Sequence, residues 1–177
     1  MLSLESILSG RQERTSNQTG VGMKSRNVFV SHMQEDEAYI QKLYDLLGRS
    51  GFQCKDSSIT SQTPNNAQSE DYIKYQVISP QIEWAGVVVV LITPDTRTSD
   101  WVNWEVERAS ALGKRIVGIW VHGEGGCDLP ESLVRYADSV VGWNSERIIS
   151  AIEGKDSWEC SDGSEMGDRE IKRIKCQ

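Results

Sequence analysis

Residues 86–92 of this chain read GVVVVLI, and the six apolar positions from Val87 to Ile92 leave no side for water. The run is far short of the roughly 18 residues needed to span a bilayer. Its β-branched side chains and the flanking Gly86 and Thr93-Pro94 make it a strand buried on both faces. Such a strand needs a neighbour on each edge and a covering layer on each face, which means a parallel sheet between helices.

The rest of the chain supplies those partners. NVFVS (27–31) reads as a first strand, followed by a helix with Ile40, Leu43, Tyr44 and Leu47 on one stripe. Glu35, Asp36 and Glu37 favour the start of that helix, and Gly51 follows its end. FQC (52–54) reads as a second strand, and 55–68 as a long polar loop of the kind that usually has a function. Ser69–Glu83 reads as a helix kinked near Pro80. Ser99 or Asp100 can cap a helix carrying Val102, Val106 and Ala109, closed by Gly113. RIVGIWV (115–121) and Ser139–Trp143 read as the fourth and fifth strands, joined through a glycine-rich loop. Asn144 caps a last helix bearing Ile148, Ile149 and Ile152. Right-handed crossovers then predict an α/β, three-layer, flavodoxin-like sheet of order 2-1-3-4-5.

This pattern occupies residues 27–153. Residues 1–26, rich in Ser, Gly, Gln and Asn, read as a flexible arm, within which Met23 is a second candidate start, and 154–177 as a polar tail. The net charge of −7 is unevenly spread: the arm carries +2 and the tail −1, leaving −8 on the domain. That balance argues against a broad nucleic-acid or anionic-membrane surface. No segment reads as a membrane span or a secretory signal, so a cytoplasmic location is the default expectation. Cys54, Cys127, Cys160 and Cys176 show no metal or disulfide-framework spacing and read as reduced thiols. No metal site is expected at His122 either, and the P-loop, G-x-G-x-x-G and G-x-S-x-G patterns are absent.

In a sheet of this order, ligands sit at the carboxyl ends of the first and third strands, where the chain reverses direction. Ser31 and His32, the 55–68 loop and the helix after the third strand converge there. On that helix Trp101 and Glu105 are four apart and share a face. A Glu shadowed by an aromatic ring would have a raised pKa, suited to acid–base work or to stabilising positive charge on a sugar. The same spacing equally permits an exposed Glu105 paired with Arg108. Ser31 and His32 could contact phosphate or ribose oxygens, or simply end a strand.

Three segments carry a family resemblance: NVFVSHMQEDEAYIQKLYDLL, then KDSSITSQTPNNAQSEDYIKYQVISPQIEWAGVVVVLITPDTRTSDWVNWEVERA, then GKRIVGIWV with LPESLVRYADSVVGWNSERIISAI. In this order they resemble the TIR domain superfamily, and more closely the TIR-like proteins of the Thoeris antiphage defence system of bacteria. WVNWE lacks the Cys that many animal and plant TIR domains carry between the Trp and the Glu. The resemblance implies an enzyme that consumes NAD⁺ as substrate, with no separate cofactor. It would cleave the nicotinamide–ribose bond and make ADP-ribose or a cyclic isomer that signals to a partner effector protein. It implies Glu105 as the catalytic carboxylate. Ser31, His32, Asp56, Ser57, Ser58 and Trp101 would line the substrate site, with Arg97 as the only nearby cation. A homo-oligomer is compatible with the resemblance, as is a non-catalytic interaction scaffold.

Overall fold

The computed structural model describes residues 27–33, 36–56, 69–121 and 128–166. The proposed arm (1–26) lies outside these, as do Glu35, Ser57, Ser58, His122, Cys127 and Cys176.

Five parallel strands form one sheet in the order β2-β1-β3-β4-β5: β1 (Asn27–Ser31), β2 (Gln53–Asp56), β3 (Val87–Ile92), β4 (Arg115–Trp120) and β5 (Ser139–Val141). This is the expected flavodoxin-like arrangement. β3 is central and every one of its residues is buried, as an all-apolar strand requires. Its even and odd positions feed two separate cores. Val87, Val89 and Leu91 pack with α1 (Glu37–Arg49) and α6 (Ser145–Glu153) on one face. Val88, Val90 and Ile92 pack on the other face with α3 (Ser79–Trp84), α4 (Asp100–Ala111) and α5 (Glu131–Tyr136).

Asn144 caps α6 by accepting from the backbone N–H groups of Glu146 and Arg147, and Gly154 ends the helix in the left-handed region at φ 119°. Ser99 caps α4 through Val102 N–H at 3.2 Å.

Several boundaries differ from the sequence expectation. Strand β2 begins and ends later than 52–54, because Phe52 turns into the α1-side core while Lys55 and Asp56 continue the ladder with Phe29 and Val30. The helix expected over 69–83 is α2 (Glu70–Tyr72), a π-helical stretch from Ile73 to Ile78, then α3. Pro80 has no N–H to give to residue 76 and its ring crowds that carbonyl, so the wider π turn just before it accommodates the proline without breaking the segment. Helix α5 lies in a stretch read as loop.

The segment after α6 is not a free tail over its described part. Ser157 C=O accepts from Val140 N–H and Glu159 N–H donates to Val140 C=O, both at 2.8 Å, so 157–159 runs parallel beside β5. Trp158 is buried in the α3–α5-side core.

Candidate active site

Ser31 is the last residue of β1, and by strand alternation it shares the face of Phe29, towards α4. The chain leaves β3 through Thr93 and a short 3₁₀ turn, Pro94–Thr98. Thr96 locks this turn: its hydroxyl donates to Leu91 C=O at 3.0 Å and accepts from Thr93 N–H at 3.0 Å. The start of α4 is thereby fixed at the carboxyl edge of the sheet.

One turn into α4, Glu105 lies wholly buried, with no exposed surface. Its Oε2 accepts from the Ser31 hydroxyl, across 74 residues of sequence, and its Oε1 accepts from the Trp101 indole N–H at 2.9 Å. Burial pushes the Glu105 pKa up to about 8. The Ser31 and Trp101 hydrogen bonds pull against that shift and the charge of Asp56 adds to it. The alternative of an exposed Glu105 paired with Arg108 is therefore overturned. Arg108 instead reaches Glu83 and the Ser79 hydroxyl, each at 2.9 Å, and ties α4 to α3.

The other sequence-nominated residues are placed less uniformly. His32 is buried beside Ser31, its Nδ1 3.4 Å from the Val30 carbonyl. Asp56 ends β2 next to Val30, but on the α1 face, where it accepts from the Tyr44 hydroxyl at 2.5 Å. It therefore lies across the sheet from Ser31 and Glu105 and acts on Glu105 through its field. Ser57 and Ser58 are outside the described residues.

Arg97 is not the only cation in the region. It is engaged with Asp128 at 2.8 Å, both side chains largely in water. Lys74, from the π-helical stretch, places its ammonium 5.7 Å from the Trp101 ring centre and 5.5 Å from that of Trp104. Sequence reasoning passed over Lys74. The only signal was its position one turn after Glu70, the first residue of α2.

The arrangement is chemically specific. A carboxyl with a pKa of about 8, each oxygen fixed by a separate donor, lies buried at the carboxyl edge of the sheet, the edge at which folds of this order bind ligands. It can hold a proton at neutral pH, or oppose a positive charge brought next to it.

No curated protein matches the chain by sequence. Among solved structures, it is similar to one described as 2-deoxyribosyltransferase from the psychrotolerant bacterium Bacillus psychrosaccharolyticus. The TM-score is 0.54 and the identity 13%, over 73% of this chain and 92% of that one. It is also similar to the TIR domain of the Toll-related receptor TRR-2 of Hydra magnipapillata, with TM-score 0.48 and 20% identity over 71% and 90% of the two chains. These are likenesses of fold. The sequence pattern described as Thoeris protein ThsB, TIR-like domain, matches residues 29–125, which include the end of β1 with Ser31, the whole of α4 and Glu105. The chain belongs to the Thoeris ThsB TIR-like family.

Proposed function

We propose that the protein is an NAD⁺-consuming enzyme of antiphage defence that breaks the nicotinamide–ribose bond and forms a cyclic ADP-ribose-type signal for a separate effector protein. The observation that carries this reading is the buried Glu105 carboxyl, held at both oxygens by Ser31 and Trp101 at the sheet's ligand edge.

The nicotinamide ring of NAD⁺ is a cation. Brought beside Glu105 it favours the ionised carboxylate over the protonated acid, and both hydrogen bonds strengthen that preference. When the C1′–N bond breaks, its electron pair leaves with neutral nicotinamide and positive charge moves to the ribose, where the carboxylate opposes it. Capture by water, which then loses a proton, gives ADP-ribose. Capture by a nucleophile of the same molecule gives a cyclic isomer. Because Glu105 has no exposed surface, contact with the sugar requires its cover to yield, and the half-buried Trp101 is the part of that cover on the same helix.

The test is nicotinamide release from NAD⁺ by purified protein and by extracts of phage-infected cells. Glu105→Gln and Glu105→Ala should lower it about a hundredfold or more while keeping the wild-type circular dichroism. Full activity in folded Glu105 variants would remove the catalytic role. No release by the wild type under either condition would leave the interaction scaffold as the better reading.

A further inference from the structure

An anionic dinucleotide on an acidic domain can be held by backbone N–H groups and hydroxyls, and a cation near the phosphates strengthens that hold. Among the described cations near Glu105, the structure separates Arg97 from Lys74. Arg97, the sequence's candidate, is 58% exposed and paired to Asp128. Lys74 is different in three respects. Its side chain is only 17% exposed, although it belongs to a helical segment with Tyr72 and Tyr75 open to solvent. Its ammonium lies over two indole faces, Trp101 and Trp104, which fix a flexible four-carbon stem in one place. Among the described residues its one ion-pair partner is Glu70, at 2.5 Å, itself 65% exposed and on the same helical stretch.

The path from Lys74 to the candidate catalytic group is one side chain long. The Trp101 ring that carries the ammonium donates its N–H to Glu105 Oε1. The π-helical stretch begins at Ile73, so the wider turn coincides with the position that brings Lys74 over α4. The edge-to-face contact of Tyr75 with Trp104, at 5.7 Å, holds the same junction.

We propose that Lys74 is a phosphate-binding residue of this site: its ammonium, held over Trp104 and over the Trp101 ring that bonds Glu105, exchanges the exposed Glu70 carboxylate for the pyrophosphate of a nicotinamide dinucleotide. This inference rests on the proposed function and specifies it, since it makes the enzyme selective for phosphate-bearing nicotinamide compounds over the bare riboside.

The experiment compares wild type with Lys74→Met, which keeps the stem and removes the charge, and with Lys74→Arg, which restores a cation. Nicotinamide release is measured from NAD⁺ and from nicotinamide riboside, and binding of ADP is measured by calorimetry. Lys74→Met should raise KM for NAD⁺ and weaken ADP about tenfold or more, with kcat changed less than about threefold and KM for the riboside unchanged. Lys74→Arg should recover most of the loss. An unchanged KM for NAD⁺, or an equal rise for both substrates, would overturn the proposal and make Lys74 a brace between helices. Should the wild type release no nicotinamide from either compound, the proposed function fails. The ADP arm then decides alone: weaker ADP binding in Lys74→Met supports the phosphate role, and equal or absent binding overturns it.

Discussion

At Glu105 the loss of water outweighs two hydrogen-bond donors, and this fixes a sign for the pH dependence of stability. In the unfolded chain the carboxyl titrates near 4.5, whereas in the fold it titrates at about 8. Between those values the native state holds a proton that the unfolded state has lost. This contribution to stability is intact below pH 4.5, declines as pH rises, and is gone above about 8. At pH 7 the cost is about 3 kcal/mol. Glu105→Gln presents the neutral shape at every pH and still accepts from Ser31 or Trp101. Urea midpoints of the wild type should therefore fall between pH 5 and pH 8, while those of Glu105→Gln stay nearly flat and exceed the wild type at pH 8. Equal slopes for the two proteins would mean that Glu105 ionises in the fold as it does in water.

At the scale of elements, the Thr93–Thr96 turn sets where α4 begins, and so where Trp101 and Glu105 fall. Thr96→Val keeps the side-chain shape but strands two buried backbone groups, Leu91 C=O and Thr93 N–H. The expected loss is about 2 kcal/mol, read from chemical denaturation. A change below about 0.5 kcal/mol would show that α4 is held by its packing alone.

Elements that announce themselves locally were legible in the sequence. β3 was visible as an unbroken apolar run, and α4 and α6 as capped stripes begun by Ser99 and Asn144. Helix α5 was not legible because six residues cannot be helical on propensity alone; it forms where Leu133 and Ala137 fill the core beside Ile116 and Val140. The π-helical stretch was hidden because a proline reads as a break, while the compensating wide turn leaves no mark in composition. Within the site, Trp101 and Glu105 were paired by spacing alone. The placing of Asp56 on the far face depended on β2 extending to residue 56, and the role of Lys74 depended on two helices meeting.

At the scale of the whole molecule, what matters is how each edge of the sheet ends. Polar composition after Gly154 suggested a tail, yet one aromatic anchor and the backbone around it lay residues 157–159 as a sixth strip along β5. The anchor is Trp158, with 8% of its surface exposed. Glu159 adds three contacts: its carbonyl accepts from the Trp120 indole at 2.7 Å, and its carboxylate takes Gly142 N–H at 2.8 Å and Arg147 at 2.9 Å.

These contributions differ in kind, so two substitutions separate them. Trp158→Ala empties a core position and should cost about 3 kcal/mol or more. Glu159→Gln keeps an acceptor for Gly142 and loses only the pair with the half-exposed Arg147, a change of about 1 kcal/mol or less. If thermal melting shows the reverse order, the strip is held by charge rather than by burial. If it shows the expected order, the β5 edge is closed by burying a tryptophan, and the acidic balance of the chain has little part in holding the strip in place.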